Sequence, residues 1–313
     1  MATGSVFVLV PTAITEAMLT FCDITEPAAG EVAWVSGVAY SVGDVRIRTQ
    51  THKVYECVQA VPASRTTVPE SDPAYWLEKG PTLRWAVFDD VVMTASTAVG
   101  SFTYKVQPGF FNAIGIYGLD GGTVSVTGRD APGGNVYFTY QVTPQAVPLD
   151  EYEYYFGAII PLSKVLLSGL LPFPTAEVTI TVSAAAGVTV SAGKFVFGDM
   201  QKLLDDSASS FGGTRHGATV EPTSFSYVKI NDDGSARIKR RGATTGMHIE
   251  VVMPKGGGDR ALELVQRLLD IGAVWVGSTA VNKAGLNVFG LGSAKVSYEE
   301  EHDVLIIDVK GLG

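Results

Sequence analysis

Cysteine, histidine and charge are all scarce in this chain of 313 residues, which has 2 Cys, 4 His and 18% charged side chains. Cys22 and Cys57 form no CxxC pair and have no histidine cluster beside them, so a thiolate metal site or a redox pair has no support. Two buried thiols is the preferred reading, with a single disulfide as the alternative. His52, His216, His248 and His302 are too scattered for a metal-ligand spacing, and neither metal nor cofactor is expected. No apolar run approaches the roughly 20 residues that cross a bilayer, although the mean hydropathy is positive at +0.21. A soluble protein without membrane insertion is the expectation. The opening MATGSVFVLVPTAITEAMLTF carries no basic region ahead of its apolar residues, so a standard secretory leader is not expected.

Basic residues are outnumbered, 23 against 32 acidic ones, for a net charge of −9. That balance argues against nucleic-acid binding, sequence-specific or general, because neutralising phosphates takes a basic face. Enzyme signatures are missing as well. There is no G-x-S-x-G on which to build a nucleophile elbow. Lys255-Gly-Gly-Gly-Asp-Arg260 lacks the Gly-Lys-Ser/Thr ending of a phosphate loop, and Asp259 would repel an anion; the segment reads as a turn and helix N-cap. The acidic runs Asp89-Asp90, Asp205-Asp206, Asp232-Asp233 and Glu299–Glu301 do not by themselves place two carboxylates across a sugar. No enzymatic activity is expected.

Hydrophobic residues make up 46% of the chain and glycines number 35. This is too apolar for disorder, and the glycines suit a fold with many tight turns. Short β-branched and aromatic segments bounded by Gly, Pro, Asn and Asp recur along the chain, among them Val45–Arg48, Val54–Val58, Trp85–Phe88, Ser101–Val106, Ala113–Tyr117, Glu153–Ile159, Lys194–Phe197, Ser224–Ile230, Ala236–Lys239 and Val304–Val309. One helix stands out: from an N-cap at Asp259, Leu262, Val265, Leu268 and Leu269 follow helical spacing, and Gly272 suits the C′ position. The fold class is therefore mainly β. The expected division is an N-terminal arm (1–29), a small three-stranded β module (30–82), a jelly-roll-like β-sandwich (83–204), a linker (205–214) and a C-terminal α+β domain with one helix (215–313).

The small unit has the most distinctive local pattern: Trp34-x2-Gly37-x2-Tyr40-x2-Gly43-Asp44-x-Arg46, then Val54-Tyr55 within His52–Cys57, then Pro69 and Pro73-Ala-Tyr-Trp76. It resembles the chitin-binding modules of carbohydrate-binding families five and twelve, in which large aromatics supply the core of a unit too small to bury much else. The resemblance implies structural places for Trp34, Tyr40, Tyr55 and Trp76, with glycan contact as the alternative. Where those modules carry an exposed aromatic pair, this chain has Val58-Gln59.

A wider resemblance rests on the order of segments: an arm with Pro11-Thr-Ala-Ile-Thr-Glu-Ala-Met-Leu19, the chitin-binding-like module, the junction Arg84-Trp85-x-x-Phe88-Asp89, a β-sandwich block and a terminal Gly-Leu. This order is similar to a family of tailed-bacteriophage virion proteins. It implies a structural component of the tail tip or baseplate, a homo-oligomer bound to other tail proteins, located in the virion after synthesis in the host cytoplasm. The alternatives are a receptor-binding fibre or adhesin that recognises a cell-surface glycan, and a head–neck protein. The middle block resembles galactose-binding-like jelly rolls, a fold that does not fix function. Within it, Tyr152-Glu-Tyr-Tyr-Phe156 reads as a strand packed on both faces, the alternative being an exposed aromatic platform of Tyr152, Tyr154 and Tyr155 for glycan or docking contact. The α+β region resembles the tail-tube-like domain, whose protomers close into rings. Its basic run Arg237–Arg241 reads as a solvated hairpin, with DNA or an acidic neighbour as the alternative.

Overall fold

The computed structural model describes residues 5–204 except 147, 149 and 159, and residues 212–312 except 231, 233, 234, 240, 241, 279 and 280. Most of the expected linker, 205–211, and Arg240 and Arg241 of the basic run lie outside the described residues. In chain order the strands are β1 (Val6–Pro11), β2 (Leu19–Cys22), β3 (Val45–Arg48), β4 (Lys53–Cys57), β5 (Trp76–Pro81), β6 (Ser96–Val99), β7 (Ser101–Val106), β8 (Ala113–Tyr117), β9 (Thr123–Arg129), β10 (Val136–Val142) and β11 (Lys164–Ser168). They continue with β12 (Glu177–Ser183), β13 (Thr189–Ala192), β14 (Lys194–Leu204), β15 (Gly213–Thr214), β16 (Thr219–Ser224), β17 (Tyr227–Ile230), β18 (Ala236–Lys239), β19 (Ala243–Pro254), β20 (Ala273–Val276), β21 (Asn287–Tyr298) and β22 (His302–Gly311). The α-helices are α1 (Glu151–Phe156) and α2 (Gly257–Gln266). The protein is mainly β.

A ten-stranded sheet runs β11-β8-β14-β1-β20-β21-β22-β19-β15, with β16 also on β19. Its pivot is β14. The first residues of that strand pair with β8 (Phe195↔Ile116) and the last with β1 (Leu204↔Val6). Gly198 sits where the partner changes: a Cβ there would lie 1.9 Å from the Val10 carbonyl oxygen. A five-stranded sheet, β10-β9-β12-β7-β2, faces the β11-β8-β14 part across a sandwich core that includes Phe102, Tyr104, Ile114, Ile116, Ile180, Phe195 and Phe197. Strict alternation makes this possible, as in β9 and β12, whose Val124, Val126, Val178, Ile180 and Val182 are all buried.

The expected arm is instead a central strand. β1 lies between β14 and β20, with Val6 and Val8 in the C-terminal core and Leu9 in a bridging cluster with Tyr117, Val274 and Phe289. A short run such as Val-Phe-Val-Leu-Val is apolar because both of its faces are covered. The boundary expected at 204/205 is likewise crossed by the sheet. The sandwich, 12–193, is an insertion between β1 and β14, and the small module is an insertion within the sandwich, after β2.

Three local expectations need correction. Trp85–Phe88 is not a strand: Ala86–Phe88 is a 3-10 turn that buries Trp85 and Val87 at the entrance to the sandwich. Glu153–Ile159 is not a packed strand either, since 151–156 form helix α1 with Asp150 as N-cap, its side chain accepting from the Glu153 amide at 2.8 Å. The long helix begins earlier and ends sooner than its periodicity implies. Gly256, at φ 85°, is its N-cap residue, and the buried Asp303 of β22 accepts from the Gly256 and Gly258 amides at 2.9 and 3.0 Å. Asp259 accepts instead from the Tyr298 hydroxyl at 2.5 Å. Gly272 serves close packing, since a Cβ there would meet the Phe289 ring at 2.9 Å.

Candidate functional site

The aromatic residues of the small module hold it together. β3-β4-β5 form its sheet, and Tyr40, Tyr55, Cys57, Val61 and Trp76 form its core. The Tyr40 and Trp76 rings meet edge to face at 5.1 Å, and the Tyr40 hydroxyl both donates to the Val35 carbonyl and accepts from the Val35 amide at 2.8 Å. Tyr40, Tyr55 and Trp76 are buried and so present no open face to a sugar ring. Trp34 is half-buried beneath Arg48, whose guanidinium sits 5.0 Å from its ring centroid and donates twice to the Glu70 carboxylate at 3.1 Å. The same construction recurs nearby. Arg65 lies 4.1 Å over the Tyr75 ring and is paired through two nitrogens with Asp72, which holds the Asp72 carboxyl below its ordinary pKa. Both cysteines are free thiols; burial raises the Cys57 thiol.

The module is clamped to the sandwich at the Trp85 junction. His52, at φ 56°, stacks on Trp85 with centroids 4.2 Å apart and contacts Glu26 through Nδ1 at 2.9 Å. Glu26 also accepts from the Thr82 hydroxyl, and Glu31 accepts from the amides of Ala28 and Leu83. A cleft beside this stack is bordered by Glu16, Lys53, Phe88, Asp89 and Asp90. Among the described residues, no three His, Cys, Asp or Glu side chains gather as a metal site would require. No helix of the described residues is long and apolar enough to cross a membrane.

Two elements project from the body. The first is a finger between β10 and β11. Its stem is an antiparallel bridge, Gln145↔Pro161, with the Ala146 amide donating to the Ile160 carbonyl at 2.8 Å. Its tip is α1. Tyr152, Tyr154, Tyr155 and Phe156 are about 70% exposed or more. Helical geometry puts Tyr152, Tyr155 and Phe156 along one stripe, with Glu151 and Glu153 on its flanks. The structure thus brings together Tyr152, Tyr154 and Tyr155 of the expected contact residues, on an element separate from the module that holds the other four.

The second is a long hairpin. β16 pairs with the start of β19 from Thr219↔His248 to Ser224↔Ala243, the Phe225 amide donates to the Gly242 carbonyl, and β17 pairs with β18 from Tyr227↔Lys239 to Ile230↔Ala236. Every residue of β17 and β18 is exposed. Register decides the two faces, because directly opposed residues share one. Val228, Ile230, Ala236 and Ile238 form an apolar face; Tyr227, Lys229, Arg237 and Lys239 form a basic one. The alternation is present in Tyr227-Val-Lys-Ile230 and Ala236-Arg-Ile-Lys239, but only the pairing reveals that the two apolar sets coincide.

Against this geometry, neither a family model, a curated protein nor a solved structure matches the chain. What the fold defines is a class: a mainly β protein of nested insertions with two projecting elements.

Proposed function

We propose that the protein is a structural component of a bacteriophage tail tip or baseplate that works by assembling with copies of itself and with neighbouring tail proteins. The observation that carries this reading is the β17–β18 ribbon. A two-stranded hairpin has no core of its own and is marginal in water, yet this one exposes Val228, Ile230 and Ile238 on one face and sets Lys229 opposite Arg237 on the other. Like charges directly opposed in a ribbon repel. Both features become favourable when a neighbour covers the apolar face and supplies carboxylates to the basic one. Helix α2, packed on the sheet of β19, β21 and β22, and the closing strand β22 also suit the tail-tube-like architecture that the sequence resembles, in which protomers close into rings.

The adhesin reading draws on the finger, whose exposed aromatics suit either a sugar ring or a protein partner. An affinity label on the full-length chain, located on purified virions by electron microscopy, separates these readings. Density at the tail tip or baseplate supports the proposal; density at the head–neck junction, or along fibres in step with saturable glycan binding, overturns it.

A further inference from the structure

The finger and the ribbon are complementary. Residues 225–241 carry Lys229, Arg237, Lys239, Arg240 and Arg241 against Asp232 and Asp233, a basic segment in a chain of net charge −9. Residues 143–162 carry Asp150, Glu151 and Glu153 and no Lys or Arg. The ribbon's basic face is a row of cations beside a tyrosine; the finger's tip is a stripe of aromatic rings between carboxylates. Cations of this kind gain from an aromatic face and a carboxylate together. The molecule already uses that pairing for three arginines, at Arg46 with Tyr40 and Asp44, at Arg48 with Trp34 and Glu70 and at Arg65 with Tyr75 and Asp72.

We infer that the basic face of the β17–β18 ribbon of one copy docks on the aromatic, acidic finger of the next copy. This rests on the self-assembly reading above and names its contact. Because the two surfaces differ, the interface is heterologous: each copy offers one ribbon and one finger, and the chain of contacts closes into a ring or continues as a filament. Arg237 and Lys239 are the cations placed to lie over Tyr152 and Tyr155, with Glu151 and Glu153 flanking them.

Mixing two full-length variants tests the inference. Tyr152→Ser/Tyr155→Ser disables the finger and Arg237→Glu/Lys239→Glu disables the ribbon; all four side chains are exposed or partly so and outside every core cluster, and an unchanged melting temperature verifies each fold. By sedimentation velocity, each variant alone should need at least about tenfold higher concentration than the parent to assemble, the size of loss expected when a central aromatic or Arg contact is removed. An equimolar mixture should form dimers and nothing larger, since one intact ribbon can meet one intact finger. Assembly of the parent should weaken as NaCl is raised. If the parent assembles but the finger variant assembles equally well, the inference is wrong while self-assembly stands; if that variant also loses glycan binding on an array, the finger serves a sugar instead. A parent that stays monomeric throughout overturns both.

Discussion

Three single residues carry more of the fold than their neighbours in sequence suggest. Asp303 caps α2 from a strand that is remote in the chain, so its carboxylate answers two amides that the helix itself leaves unpaired. Asp303→Ala should lower stability by about 2 kcal/mol, the cost of leaving buried donors unsatisfied, measured by chemical denaturation. Gly198 permits the backbones of β14 and β1 to touch where β14 changes partner. Gly198→Ala should cost about 1–3 kcal/mol or more through overpacking against a carbonyl that cannot yield; an unchanged denaturation midpoint would show that the strands can separate there. Asp72 has its pKa lowered in the fold by Arg65, so its contribution is fully present above the ordinary carboxylate pKa and is lost as pH falls through the lower folded value. Tryptophan fluorescence of the small module should report acid unfolding in that window, and Asp72→Asn should be less stable at neutral pH and flatter across it.

Most individual strands can be read from alternation, because a half-buried strand writes its burial into every second residue, as β7, β9 and β12 do. β1 resists that reading. It is paired on both edges, by β14 and β20, and its Val6 and Val8 enter one core cluster and Leu9 another; these partners lie more than a hundred residues away, and nothing local distinguishes it from an apolar arm. Helix α1 resists it for the opposite reason: Tyr and Phe favour strands, and what decides for helix is the Asp150 cap on an exposed finger tip with no strand to pair with. The aromatic core of the small module was legible, since a unit of its size has few other means of burying surface. The ribbon was legible as two strands and a solvated hairpin, but its shared apolar face and the helical, exposed tip of the finger were not, because cross-strand register and exposure are properties of the fold. Removing residues 1–11 should therefore leave β14 and β20 with open edges and give insoluble or molten protein, whereas replacing the finger residues 145–161 by a short Gly-Ser turn should leave the thermal midpoint within a few degrees, since no described residue there is buried. Circular dichroism melts of the two deletions distinguish these outcomes.

Taken whole, the chain is a set of nested insertions. The small module enters and leaves the sandwich at neighbouring points, where Glu31 bonds the amides of Ala28 and Leu83, and the sandwich enters and leaves the larger sheet between β1 and β14. Tyr117 donates to Asn287 at 2.6 Å across the resulting junction, and the buried amine of Lys194 donates to the Phe88 and Asp89 carbonyls beneath the Phe289 ring. Burial lowers the Lys194 pKa against the opposing pull of Asp90 and Asp89, and the amine ties the Phe88–Asp89 turn to β14 through backbone oxygens. Such an architecture holds the finger, the module and the ribbon on one frame, which is what a repeating unit of an assembly needs. The decisive measurement is the mass of the full-length chain across a concentration series at low salt, by mass photometry and sedimentation together. A concentration-dependent rise from monomer to a closed or growing oligomer, suppressed by Arg237→Glu/Lys239→Glu, is the expected result; a monomer at every concentration, unaffected by that change, would refute a role built on self-assembly.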